Sequence, residues 1–130
     1  MDEAAIWQEV GSEGFRKLVA AFYRRIPDDD LLGPMYPAED LVGAEDRLYL
    51  FLCFRIGGDQ QYLEERGHPR LRMRHMPFRI GVAERDRWLE LMSAAMEETE
   101  LSPAVVESLG AFFAQVADFM RNQDEFSPGG

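Results

Sequence analysis

Apolar residues recur at helical spacing over four long stretches of the chain. Between Ser12 and Ile26, the residues Phe15, Leu18, Val19, Phe22 and Ile26 fall on one face, which predicts an amphipathic helix. Ser12 suits its N-cap, and Pro27 followed by Asp28-Asp29-Asp30 marks its end. A shorter helix over about Asp2 to Val10 is expected before it. From Val42 to Ile56, a second stripe holds Ala44, Leu48, Phe51, Leu52 and Ile56. Gly57-Gly58 stops it, because paired glycines disfavour further helix. The third helix spans Ala83 to Thr99, with Trp88, Leu91, Met92, Ala95 and Met96 on its stripe. The fourth spans Ser102 to Gln123, with Ser102 as cap and Pro103 in the first position. Its inward positions are Val105, Val106, Leu109, Phe112, Phe113, Val116, Phe119 and Met120. No run of alternating residues demands a strand, so the fold class is all-α.

Two stretches break this pattern. Pro27 to Asp40 is rich in turn residues, with Gly33, Pro34 and Pro37. Asp59 to Arg74 is polar, rich in arginine, and carries Gly67 and Pro69. It reads as an extended loop with a short helix near Leu71 to His75. A long loop of this kind inside a small domain is uncommon without a function. The tail Ser127-Pro128-Gly129-Gly130 is expected to be disordered, which leaves one domain over residues 1–126.

Composition narrows the function classes. A chain of 130 residues is long enough to bury a core as one domain. With 46% hydrophobic and 12% aromatic residues it is globular in character. The formal net charge of -10 argues against nucleic acid as a partner, since phosphate binding needs a basic surface. Cys53 is the single cysteine, so no internal disulfide forms and a reducing compartment fits. It lies in the run Leu50-Phe51-Leu52-Cys53-Phe54 and reads as a packing residue. The N-terminus is acidic and lacks an apolar leader segment, and no stretch is long enough to cross a bilayer. The expectation is a cytoplasmic protein with no membrane partner.

The candidate chemistry is sparse. His68 and His75 are the two histidines, neither has a second histidine at metal-ligand spacing, and no cysteine pair exists, so a structural zinc site is excluded. A lone histidine suffices as ligand where a haem ring supplies the other iron bonds. His75 lies among apolar Leu71, Met73, Met76 and Phe78, with Arg72 and Arg74 beside it to suit propionates. Spacing alone leaves His75 open between that role and an ordinary loop histidine. Seven of the 14 basic residues (Arg66, Arg70, Arg72, Arg74, Arg79, Arg85 and Arg87) cluster in this region. They read either as a site for carboxylates or as a solvated face balancing Glu64, Glu65, Glu84 and Asp86. Tyr23, Tyr36 and Trp88 each carry a hydrogen-bond donor at an aromatic edge, and by spacing each reads as a core or rim aromatic ahead of a ligand contact.

Several motifs together carry a family resemblance. Gly67-His68-Pro69-Arg70-Leu71-Arg72-Met73-Arg74-His75, then Pro77-Phe78-Arg79-Ile80 and Glu84-Arg85-Asp86-Arg87-Trp88, closely resemble the truncated haemoglobins of group II. Phe22-Tyr23, Met35-Tyr36-Pro37, Glu39-Asp40-Leu41, Gly43-Ala44-Glu45 and Gly57-Gly58 match further segments, so the resemblance runs from about Gly14 to Met96. It implies a truncated globin fold in which two antiparallel helix pairs form a two-over-two sandwich around haem b (iron protoporphyrin IX). It implies His75 as the iron ligand, contacts to the haem from Met73, Phe78 and Leu48, and propionate contacts from Arg74, Arg72 and Tyr62. Tyr23, Tyr36 and Trp88 become donors on the distal face. Ala44 stands where many globins carry a distal histidine. The chain departs from the family in Phe54-Arg55-Ile56 before the glycine pair, with Arg55 expected in solvent, and in the early glycines Gly11 and Gly14.

The implied function is binding of dioxygen and other small diatomics at a pentacoordinate iron. Two donors to a partly anionic bound ligand, at roughly 1.5–3 kcal/mol each, slow its release by about two to four orders of magnitude. High oxygen affinity follows. The alternative on the same haem is a redox enzyme, either for nitric oxide dioxygenation or for peroxide reduction. Expected partners are dioxygen, nitric oxide, carbon monoxide, hydrogen sulfide or peroxide, and an external reductase. A homodimer is left open.

Overall fold

The computed structural model describes residues 2–58 and 81–120. Four helices account for most of them: α1 (Glu3–Arg24), α2 (Leu41–Gly57), α3 (Val82–Glu98) and α4 (Pro103–Met120). No strand occurs among the described residues. The expected loop from Asp59 to Arg74, the short helix at Leu71 to His75 and the tail at residues 127–130 lie outside the described residues. So do Tyr62, His68, Arg72, Met73, Arg74, His75 and Phe78.

α1 is two expected helices run together. Its backbone leaves helical geometry at Gly11 (φ 69°, ψ 174°), a left-handed φ that glycine adopts without a Cβ clash. Asp2 caps the first segment by accepting from the Ala5 amide at 2.8 Å. Ser12 follows the kink, with Tyr49 of α2 as a polar neighbour. α1 ends at Arg24, short of the expected Ile26. Arg24 and the adjoining Arg25 pair with Glu98 at the far end of α3. The other helices match the periodicity to within a residue or two at their described ends. Ser102 accepts from the Val105 amide at 3.3 Å to cap α4. Glu84 turns back to accept from the Gly81 N–H at 2.7 Å and caps α3.

α1 sits centrally, packing on α2 along one side and on α3 along another, while α4 packs on α3. The core is the expected stripes brought together. Phe15, Leu18, Val19 and Phe22 of α1 are fully buried with Leu52 of α2, Met92 and Ala95 of α3, and Val105, Leu109 and Phe113 of α4. The α4 stripe is narrower than its periodicity suggests: Val106, Phe112 and Val116 are only partly buried. Among the described residues no helix is long and apolar enough to cross a membrane.

Glycine matters most where α2 ends. Gly58 takes the left-handed cap position (φ 72°), and its N–H bonds the Phe54 carbonyl at 3.1 Å. Gly57 serves a different purpose. A Cβ there would lie 2.8 Å from three carbons of the Trp7 ring, which itself stacks on Phe15 at 5.8 Å. The first segment of α1 therefore docks flat against the end of α2 because residue 57 has no side chain. Gly57→Ala is expected to lower stability by about 1–3 kcal/mol through overpacking, read as a fall in the denaturant midpoint. An unchanged midpoint would show that the indole does not rest on this glycine.

Candidate functional site

The three aromatic donors come from three separate elements. Tyr23 is in the last turn of α1, Tyr36 ends the 3₁₀ turn Gly33–Met35, and Trp88 is in the second turn of α3. Neighbouring positions on α1 point in different directions because successive residues turn about 100° around a helix. Phe22 meets Trp88 at 5.0 Å between ring centroids, while Tyr23 meets Tyr36 edge-on at 5.7 Å. Phe113 of α4 closes on the other side of Trp88 at 5.6 Å. The indole is thus held between two phenylalanines of the core, and its N–H edge is left for a polar partner.

The Tyr36 hydroxyl is set toward the same place, with Trp88 and Tyr23 as its polar neighbours. An indole N–H only donates, so toward Trp88 the Tyr36 oxygen can serve only as an acceptor. An oxygen used in that way keeps its own O–H for a further acceptor.

The pKa of both phenols is raised, burial being the largest cause, and that of Tyr23 ends the further up. For Tyr23 the neighbouring Tyr36 adds to this, and the Arg47 guanidinium opposes it. For Tyr36 the opposing influences are its polar neighbours Trp88 and Tyr23, and then Arg47. Arg47 is on α2 and is tied to Asp40 at 2.7 Å. Ala44 and Leu48 flank Arg47 on the same helix. Ala44 is buried, and Leu48 is partly buried against the core. The site is thus an apolar wall with one donor cluster set into it. That donor chemistry fits the distal side of a haem pocket, where a small ligand needs a hydrogen-bond donor in dry surroundings. Among the described residues no group of histidine, cysteine and carboxylate side chains is arranged to hold a bare metal ion.

In the sequence, Arg85 and Arg87 read either as part of a site for carboxylates or as part of a solvated face balanced by local acids. The structure ties them to distant acids as well as to local ones. Arg85 pairs with Asp118 of α4 at 2.9 Å as well as with Asp86 at 3.0 Å. Arg87, adjacent to Trp88, pairs with Asp29 at 2.6 Å and with Asp30 at 3.0 Å. Glu84 caps α3 and balances neither. Arg55 is exposed, as expected, and bonds Glu3 at 2.7 Å. Sequence reasoning misses the role of Asp29. Its only signal there is an aspartate two and three residues before the amides it accepts from, a common turn pattern.

A family model described as bacterial-like globin matches residues 5–122. Group 2 truncated hemoglobin YjbI of Bacillus subtilis is 37% identical over 121 residues, covering 93% of this chain and 91% of that protein. A thermostable hemoglobin from the actinobacterium Thermobifida fusca superposes with a TM-score of 0.85 at 46% identity, covering 92% of this chain and 98% of that one. The hemoglobin of Chloroflexus aurantiacus gives 0.84 at 41% identity, covering 91% and 98%. An all-helical chain with this motif set, matched over nearly its whole length, belongs to the bacterial-like globins as a group II truncated haemoglobin, a haem protein of the oxygen-binding globin class.

Proposed function

We propose that this protein binds dioxygen with high affinity at a pentacoordinate iron of haem b held by His75. The haem, when bound, supplies an iron position at which a small diatomic ligand is taken up reversibly. In this reading Met73 and Phe78 contact the ring beside His75, and Arg74, Arg72 and Tyr62 pair with propionates. Ala44 and Leu48 give the opposite side an apolar wall.

The observation that carries the reading is the Tyr36 hydroxyl. Trp88 and Tyr23 are its polar neighbours, and since an indole can only donate to it, its own hydrogen is available to a ligand. In this reading Trp88 and Tyr23 orient the oxygen and polarise its O–H, since hydrogen bonds in a chain strengthen one another. The surroundings are apolar, so a partly charged ligand atom meets a donor with little competition from water. A solved structure of a truncated haemoglobin from Bacillus subtilis described as oxygen-avid is 36% identical and superposes with a TM-score of 0.84, which supports the high affinity.

Three outcomes test this. Replacing His75 by alanine is expected to abolish the Soret band of the purified protein, and a band of undiminished strength would overturn the ligand assignment. Tyr36→Phe is expected to speed oxygen dissociation by about 10- to 100-fold, the loss of one charge-assisted bond. A wild-type rate in stopped flow would remove Tyr36 as the donor. The third concerns pH. Both phenols hold their protons more tightly folded than unfolded, so their stabilising effect is fully present below the ordinary tyrosine pKa of 10.0 and is lost as pH rises through the raised values. Oxygen dissociation should therefore stay flat from neutrality to about pH 10. A rise beginning near neutrality would assign the donor to some other group.

A further inference from the structure

Tyr36 lies on a turn, and turns are poor places to hold a hydroxyl in register unless something fixes them. Asp29 organises this one. Its Oδ2 accepts from the Leu32 amide at 2.7 Å and from the Leu31 amide at 3.1 Å, and its backbone carbonyl accepts from Gly33 at 3.0 Å. Leu32, 2% exposed, plugs the turn into the core. Gly33 passes so close beneath the end of α1 that a Cβ would lie 3.1 Å from the Ile26 carbonyl oxygen. The ladder continues: the Met35 amide bonds the Leu32 carbonyl at 2.9 Å, and the Tyr36 amide bonds the Gly33 carbonyl at 3.2 Å. A hydrogen-bonded path thus runs from the Asp29 carboxylate to the backbone of Tyr36.

The other carboxylate oxygen leaves the turn. Asp29 Oδ1 accepts from Arg87 Nη1 at 2.6 Å across 58 residues, and Arg87 is the residue before Trp88. The Asp29 side chain is only 8% exposed, whereas that of Asp30, bonded to the same nitrogen, is 91% exposed. An ion pair with one buried and amply hydrogen-bonded partner is screened less than a solvated one. Asp29 is therefore the partner that counts.

We propose that the Asp29–Arg87 pair is a latch that holds the Tyr36 turn against α3, and that it thereby sets the distance between the Tyr36 hydroxyl and the Trp88 indole on which ligand retention depends. Asp29 and Arg87 are positioning residues in this scheme. They act through Tyr36, so the inference rests on the functional reading above.

The test compares variants in oxygen dissociation and in the Fe–CO stretching frequency of the carbon monoxide adduct, which reports distal hydrogen bonding and not overall stability. Asp29→Asn keeps an oxygen for the turn amides but loses the charge, and Arg87→Met loses the guanidinium. Each is expected to speed oxygen dissociation on the order of tenfold and to move the Fe–CO band in the direction that Tyr36→Phe moves it. The double variant should be no faster than the faster single one, as expected for two groups in one interaction. Asp30→Asn, aimed at the same arginine, should match wild type, and Arg87→Lys should recover most of the slow release. If Asp29→Asn and Arg87→Met lower the unfolding midpoint yet leave both ligand readouts at wild-type values, the pair is only structural and the latch is overturned. Should Asp29→Asn not fold, Arg87→Met and Arg87→Lys decide between the same two outcomes. A wild-type rate in Tyr36→Phe overturns the functional reading and the latch with it, whereas a fast Tyr36→Phe with unchanged latch variants overturns the latch alone.

Discussion

A hydrogen-bond donor buried in an apolar core must find an acceptor, because leaving it unpaired forfeits the water it gave up. That constraint organises the site. Tyr23 and Trp88 bring an O–H and an N–H into a region walled by Phe22 and Phe113. Among the described residues no buried side-chain nitrogen or oxygen lacks a partner. Both donors have the oxygen of Tyr36 as polar neighbour. An oxygen that accepts from such neighbours still carries its own hydrogen, so the arrangement that answers a packing problem also leaves a donor.

The helices serve this arrangement in different ways. α1 supplies both the wedge that orients the indole, Phe22, and the donor beside it, Tyr23, so their relation is fixed by helix geometry alone. The position of Trp88 depends on how α3 packs, and Phe113 of α4 fixes that from the far side. Arg24 and Arg25 on Glu98 tie the end of α1 to the end of α3. Tyr36 has no helix behind it and depends on the turn from Pro27 to Gly33.

This difference in support explains what is legible in the sequence. The helices follow from periodicity, since burial of one face at 3.6-residue spacing leaves a direct trace in the order of residues. The kink at Gly11 also leaves a trace, as two expected helices where the structure has one bent one. Tyr23, Tyr36 and Trp88 stand out by resemblance; from spacing alone they are indistinguishable from core aromatics. Their common focus on Tyr36 is not legible, because it depends on the angles at which three elements meet. Asp29 and Arg87 are the least visible. Asp29 sits in an acidic run that reads as a helix terminator, and Arg87 in a basic run that reads as a solvated face. Local composition holds no sign that one member of each run crosses 58 residues to meet the other. The proximal residues around His75 lie outside the described residues, so their reading rests on motif and family.

The two ionisable parts of the site lean in opposite directions with pH. Burial pushes the Asp29 carboxyl up, but the Leu32 amide, Arg87 and the Leu31 amide together outweigh it and leave its pKa below the usual aspartate value. A depressed carboxylate stabilises the fold above its unfolded pKa and loses that effect only as pH falls through the lower folded value. The buried phenols have raised values and fail only on the alkaline side. Each shift is produced by the contact that also gives the group its place, the Asp29 carboxylate among amides and guanidinium, the phenols among core aromatics. The broad middle range in which turn and donors keep their ordinary charge states is therefore a by-product of the geometry. An apolar contact between the turn and α3 would bury comparable surface, but it would lack the directional bonds that bring Asp29, and through it Tyr36, to one register on Trp88.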